Sequence, residues 1–186
     1  MASNTLDFKY KTNWCVITGA PSSGKTSVID ALKARGFAVE NEVARELIEL
    51  ALRGGRDLRD VRGDVADLQR GILEVALARE MELDPHATVF LDRGIPDSLT
   101  YLRLAGLDVF AAAAVARLFR YRAVFIFDRL PVVQDNVRTE DAALAEKIDK
   151  MLEEDYRSAG YAPVRVPVMP VAARADFILE RLRTSA

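Results

Sequence analysis

Short apolar runs alternate with helix-period patterns from residue 13 to the end of the chain. Residues 13–18 read as a buried strand. Residues 27–35 follow as a helix with Val28, Ile29 and Leu32 on one face, and Gly36 closes it as a left-handed cap. Residues 37–40 make a second strand, and a helix over 43–53 ends at Gly54-Gly55. A long helix is predicted over about 61–82, with Val65, Leu68, Ile72, Val75 and Leu77 as its apolar positions. Residues 88–91 and 123–127 form the third and fourth strands. Two helical segments lie between them, one starting near Asp97 and one covering about 109–121. An irregular loop over 130–139 leads into a charged amphipathic helix over 141–158. The fifth strand, 164–166, stands between Pro163 and Pro167, and a helix over 171–183 closes the chain.

Strands that alternate with helices predict an α/β fold: a five-stranded parallel sheet, covered on both faces, in a three-layer sandwich. No repeat or low-complexity linker divides the chain. The expected organisation is a polar N-terminal extension, 1–12, and one domain over 13–186, with a lid near 129–158.

Composition narrows the chemistry. Half of the 186 residues are apolar, 29 % are charged and the net charge is −2. That balance lacks the strongly basic face of a general nucleic-acid binder. Cys15 is the only cysteine and lies in an apolar run, so it reads as a buried structural thiol. His86 is the only histidine and reads as surface punctuation in a turn. Histidine-dependent triads and cysteine-rich or histidine-rich metal sites therefore have little to stand on. The first twelve residues lack the apolar core of a secretory signal, and no run approaches the ~20 apolar residues of a membrane span, so the expected location is cytoplasmic.

Gly19-Ala20-Pro21-Ser22-Ser23-Gly24-Lys25-Thr26 fits G-x-x-x-x-G-K-[ST] at each fixed position, between a predicted strand and a predicted helix. Glycines let the backbone turn so that successive N–H groups face phosphate oxygens, and the helix that begins near Ser27 adds the positive end of its dipole. Lys25 supplies a point charge for the β- and γ-phosphates, and the Thr26 hydroxyl is a magnesium ligand. ATP with Mg2+ is the expected ligand pair.

Magnesium between phosphates calls for an acidic residue at a neighbouring strand end. Two strands end alike, in Asp92-Arg93 and Asp128-Arg129. A kinase-like sheet places the third strand beside the first, which assigns Asp92 to the metal, directly or through water. Arg93 stands where many P-loop ATPases carry a water-orienting Glu, so phosphoryl transfer to an acceptor is favoured over hydrolysis. An N-K-x-D motif for guanine is absent, and Asp60-Val61-Arg62-Gly63 lies in a charged stretch rather than at a strand end.

Glu42-Val43-Ala44-Arg45-Glu46, Asp92-Arg93-Gly94-Ile95-Pro96-Asp97-Ser98 and Val137-Arg138-Thr139-Glu140-Asp141 complete a recognisable set. With them the chain resembles the P-loop AAA-type ATPase/kinase domain shared with the ribosylnicotinamide kinase part of NadR proteins, over about residues 14–182. The resemblance implies strand order 2-3-1-4-5 and a carboxylate after strand two near the acceptor hydroxyl. Glu42 fits that position, with Glu40 as the alternative. Arg45, one turn on, could hold an acceptor anion or pair with Glu42. Arg129 and Arg138 bracket the lid loop, and Arg138 is favoured as the arginine that meets the phosphoryl group. Gln69 and Arg70 fit a base reader or a solvated helix face, and the Val166-Pro167-Val168 segment, with Arg174 nearby, could pack on the nucleotide base.

The expected activity is transfer of the γ-phosphoryl group of Mg·ATP to a hydroxyl of a small, nucleoside-like molecule. The rival readings are a nucleotide-dependent switch or binding module and a slow ATPase.

Overall fold

The computed structural model describes residues 8–57, 63, 65–130 and 139–184. Its strands are β1 (Tyr10–Lys11), β2 (Cys15–Thr18), β3 (Ala38–Glu40), β4 (Val89–Asp92), β5 (Phe119–Arg120), β6 (Ala123–Phe127) and β7 (Val164–Val166). Its helices are α1 (Lys25–Ala34), α2 (Val43–Arg53), α3 (Val65–Glu82), α4 (Ile95–Leu104), α5 (Phe110–Val115), α6 (Thr139–Ser158) and α7 (Val171–Thr184).

Five strands form one parallel sheet in the order β3-β4-β2-β6-β7. Counted along the chain without the short pair β1 and β5, this is the expected order 2-3-1-4-5. Side chains alternate across the sheet, as strand geometry requires. Cys15, Ile17, Phe90, Phe125 and Phe127 face one side, where they pack with Val28, Ile29 and Leu32 of α1 and Ala175, Ile178 and Leu182 of α7. Trp14, Val16, Val89, Leu91, Val124 and Ile126 face the other, against Ile95, Leu99 and Leu102 of α4, Ala112 of α5 and Tyr156 of α6. Burial on both faces explains why these strands read as unbroken apolar runs rather than as alternating ones.

Boundaries move where tertiary contacts outweigh local pattern. The predicted helix over 109–121 stops at Val115, and Phe119 and Arg120 pair in parallel with Tyr10 and Lys11 instead. Phe119 stacks on Tyr10 at 5.7 Å and tilts onto Trp14 at 5.1 Å, an aromatic cluster that a continuing helix would break. α1 begins at Lys25, two residues before the predicted start, because the helix grows directly out of the loop. α4 begins at Ile95 with Pro96 in its first turn, a position that tolerates proline because no helical partner awaits its missing N–H. The predicted first turn of the long helix and most of the 130–139 loop lie outside the described residues.

α2 and α3 pack on each other, and residues of both line a cavity together with Glu40 and Asp92, the last residues of β3 and β4. Strand ends, the α2–α3 pair and the loop before α1 therefore enclose one space.

Candidate functional site

The loop between β2 and α1 is built against the end of β6. Gly19 has φ 143°, and a Cβ there would lie 2.9 Å from the Phe127 carbonyl oxygen. Glycine is the residue that fits such a position. Ser22, with φ 61°, and Gly24, with φ 85°, turn the backbone into α1. Ala20 is fully buried against Ile148 and Leu152 of α6, which anchors the outside of the loop.

Lys25 is only 6 % exposed. Its ammonium donates to the carbonyls of Gly19 at 2.9 Å and Ala20 at 3.0 Å, and to Ser23 Oγ at 3.4 Å. Burial first, and the neighbouring Arg93 charge second, bring its pKa down to about 8, against the opposing pull of Asp92, Glu42 and Asp97. The cation thus occupies its own loop, held by neutral oxygens that a phosphate can replace.

Asp92 closes β4 beside this loop. Its Oδ1 is buried and has no hydrogen-bond partner, the one such side-chain atom among the described residues. Burial, reinforced by the charge of Glu42, pushes its pKa up to about 6, although Arg93 and Lys25 act against the rise. A buried carboxylate oxygen without a donor suits a hard cation. The Thr26 hydroxyl, on the same cavity wall, adds a second hard oxygen, so these residues fit magnesium. No group of three or more His, Cys, Asp or Glu gathers to hold a metal among the described residues. An ion here would complete its shell with phosphate and water oxygens. Asp128, at the matching end of β6, is 43 % exposed at the side chain and pairs with Arg165 at 3.6 Å.

Arg93 follows Asp92 in a left-handed conformation, φ 74°, which is costly for a residue with a side chain. Its N–H extends the sheet ladder to the Ile17 carbonyl at 3.0 Å, and the turn throws the side chain across the strand ends. There Nε donates to Glu42 Oε1 at 2.7 Å, and Nη1 donates to Asp97 Oδ1 at 2.9 Å and to the Gly19 carbonyl at 3.5 Å. The guanidinium also lies over Tyr101, 5.2 Å from the ring centre. Burial works to raise the Glu42 pKa, but the charge and hydrogen bond of Arg93 outweigh it and hold the carboxyl below its ordinary value. Glu42 is therefore ionised at neutral pH. The alternative pairing of Glu42 with Arg45 is not the one formed. Arg45 is exposed on the cavity wall and makes no ion pair among the described residues.

A single cavity of about 640 Å³ joins these parts. Residues 21–27 of the loop line it together with Asp92, Arg93, Glu40, Glu42, Arg45, Gln69 and Tyr101. The predicted residues of loop, metal ligand and acceptor carboxylate are thus brought together. Arg138 lies outside the described residues. Arg129 is committed to α6, donating to the Ala142 carbonyl at 2.9 Å with Glu146 at 3.9 Å. Of the helix pair considered for base reading, Gln69 faces the cavity while Arg70 pairs with Asp67 on an exposed face.

Sequence reasoning gave no role to Asp97, which is the junction of the site. Its four acceptor positions are filled by Thr18 Oγ1 at 2.6 Å, Arg93 Nη1, the Gly94 N–H at 3.1 Å and the Tyr156 hydroxyl at 2.6 Å. It joins β2, the Arg93 turn and α6 in one buried carboxylate. The signal was present: Arg93 and Asp97 stand at i and i+4, and an acid three residues past Gly94 caps a helix start.

Glu80 was also unmarked. It is buried, with the Tyr121 hydroxyl 3.0 and 2.9 Å from its two oxygens. Burial pushes its pKa from 4.5 to about 8, against the hydrogen bonds it receives and with help from the Asp97 charge. The native state then holds a proton that the unfolded chain has released, so stability falls as pH rises from about 4.5 to about 8. Glu80→Gln keeps the shape and removes the titration. Urea unfolding between about pH 5 and about pH 8.5 should show a flatter stability profile for the variant than for the wild type. Equal slopes would mean that Glu80 is ionised in the fold.

A family model described as an AAA domain matches residues 14–174. No curated protein matches the chain in sequence. Among solved structures, deoxyadenosine kinase from M. mycoides superposes with a TM-score of 0.62 at 16 % identity, covering 93 % of this chain and all of the other. Thymidylate kinase from Ehrlichia chaffeensis gives 0.66 at 11 %, covering 94 % and 99 %. A NadR protein solved with NR gives 0.69 at 15 %, covering 94 % of this chain and 50 % of that one, so the present chain spans about half of that protein. These likenesses share the P-loop kinase fold, and the family model covers nearly the whole chain: it belongs to the AAA-domain family, as a kinase-like P-loop domain.

Proposed function

We propose that this protein is a phosphotransferase that binds Mg·ATP on residues 19–27 and passes the γ-phosphoryl group to a hydroxyl of a nucleoside-like acceptor. The observation that carries the reading is the continuous cavity from the loop to Glu42, with Glu42 oriented by Arg93 at 2.7 Å. A nucleotide switch has no need of an oriented carboxylate in the same cavity as its phosphate loop.

Backbone N–H groups of the loop would cradle the phosphates, and Lys25 would exchange its loop carbonyls for β- and γ-phosphate oxygens. Thr26 and Asp92 would hold magnesium, which would neutralise phosphate charge when bound. Glu42 would orient the acceptor hydroxyl and take its proton as the oxygen forms its bond to phosphorus and ADP departs. Arg93 would fix Glu42 and set the positive charge of the site. Arg138 remains the proposed arginine for charge developing on the transferred group.

A phosphate acceptor fits less well. Arg93 already gives Nε to Glu42 and Nη1 to Asp97 and the Gly19 carbonyl, so a phosphate drawn to it would meet the Glu42 carboxylate. Arg45 on the wall, without an ion pair among the described residues, is exposed to solvent. An uncharged hydroxyl does not meet that repulsion. The chain's kinase-like neighbours, one of them a deoxyadenosine kinase, support a nucleoside-like acceptor. No helix among the described residues is long and apolar enough to cross a membrane.

A thermal-shift screen of nucleosides and related hydroxyl compounds, with a non-transferable Mg·ATP analogue present, tests the acceptor class. An acceptor at 100 times its dissociation constant should stabilise the fold by about 2.7 kcal/mol. If no small hydroxyl compound shifts the melt while the analogue binds, the acceptor compartment is not one, and a switch takes the place of the kinase.

A further inference from the structure

Arg174, in the first turns of α7, is 2 % exposed, yet it has no carboxylate within ion-pair distance among the described residues. Its Nη1 donates to the Ser23 carbonyl at 2.7 Å, Nε to the Pro167 carbonyl at 2.9 Å and Nη2 to the Asp128 carbonyl at 3.4 Å. The guanidinium lies 5.0 Å from the centre of the Phe127 ring. All of these partners are neutral. Asp128 is the nearest acid to act on it, but that carboxylate pairs with Arg165 and attracts Arg174 only at longer range. Buried guanidinium groups are ordinarily found paired, because desolvating an unneutralised charge is costly.

The position of this charge suggests what balances it. Ser23 and Gly24 belong to the phosphate loop, and a Cβ on Gly24 would sit 3.3 Å from Arg174 Nη1. The guanidinium is therefore pressed against the back of the loop whose front faces the cavity. By accepting from Arg174, the Ser23 carbonyl is turned away from the phosphate side, which leaves that side to N–H groups.

We propose that Arg174 is a further cation of the nucleotide site, a positioning residue that acts through the loop without touching the nucleotide. Its charge raises the potential where the phosphates bind, and its hydrogen bond fixes the orientation of the loop. The inference rests on the reading of residues 19–26 as the triphosphate site. It differs from a simple structural brace in one respect: the effect must scale with the charge of the ligand.

Calorimetric titration of the full chain with ATP, ADP and AMP, for wild type, Arg174→Met, Arg174→Lys and Asp128→Asn, separates the possibilities. Arg174→Met should weaken ATP by about tenfold or more, ADP by less and AMP least, because the lost attraction grows with phosphate charge. Arg174→Lys keeps the charge and should recover most of the ATP affinity. Asp128→Asn removes the opposing surface charge and should tighten ATP by about twofold. The proposal is overturned if folded Arg174→Met binds ATP as the wild type does, if the three nucleotides weaken equally, or if the lysine variant is as weak as the methionine one. Should Arg174→Met not fold, the lysine and Asp128 variants decide: loss of ATP affinity in the former together with no tightening in the latter overturns it. A wild type that binds no ATP would overturn both this inference and the loop reading. Normal wild-type binding with a charge-independent Arg174 effect overturns this inference alone.

Discussion

Glu42→Gln should keep ATP affinity within about threefold of wild type while turnover falls by about 10³, within the 10²–10⁴ range of a lost general base. Glutamine can still accept a hydrogen bond from the acceptor hydroxyl, so the KM of the acceptor should move little. What it cannot do is take the proton as the new bond to phosphorus forms. The variant also takes the negative charge from Arg93's 2.7 Å partner, although the amide oxygen can still accept from Nε, and leaves Asp97 as the ionised partner of that guanidinium. Steady-state kinetics with the acceptor found by thermal shift would read the split between kcat and KM. Turnover near the wild-type level would remove Glu42 from the chemistry and return the role to Glu40, which lines the same cavity.

The other large effect belongs to Lys25. Lys25→Ala should weaken ATP by about a hundredfold, corresponding to the loss of about 3 kcal/mol from charge-assisted contacts to two phosphates. The fold should survive. In the nucleotide-free protein Lys25 is a desolvated cation whose pKa is brought down to about 8, and its three oxygen partners belong to its own loop. Removing it costs these hydrogen bonds but also relieves the burial of a charge. The melting temperature without nucleotide should therefore change far less than the ATP affinity, as circular dichroism and calorimetry on the same sample would show. A folded variant with undiminished affinity would refute the phosphate-binding role of the loop.

The loop was legible in the sequence because its chemistry is local. Glycine, lysine and threonine at fixed spacing act through backbone geometry and one short side chain, and residues 19–26 needed only a strand before and a helix after. Sheet order does not separate Asp92 from Asp128, because β4 and β6 both flank β2. Their surroundings do: Asp92 has a buried, unpartnered oxygen, whereas Asp128 is exposed and paired with Arg165.

What the sequence hid lies in contacts between distant segments. Asp97 reads locally as a helix-capping acid. Its links to Thr18 and Tyr156, 79 and 59 residues away, exist only once the sheet has formed. Arg174 reads as a side chain near a segment that could pack on the nucleotide base, with no sign in the sequence that it is buried. Its burial follows from α7 packing against α1, which carries it to Ser23 across 151 residues of sequence. The same cause moved element ends: Phe119 leaves the predicted helix because Trp14 and Tyr10 offer it an aromatic cluster. Local pattern located the five strands of the main sheet and the helices that cover it, while contacts between distant segments made the short β1–β5 pair, set where elements stop and decided which charges are buried.

The most direct test of the kinase reading is to follow the γ-phosphoryl group itself. Isotopically labelled ATP, magnesium and a panel of nucleosides would be incubated with the protein, and the label located by mass spectrometry. The account predicts that the label appears on an acceptor hydroxyl, in step with ADP, and that ADP formation without acceptor is slower by about a hundredfold or more. Label released as inorganic phosphate at the same rate with or without acceptor would make the protein an ATPase. Label that stays on bound ATP with every acceptor would contradict phosphoryl transfer altogether.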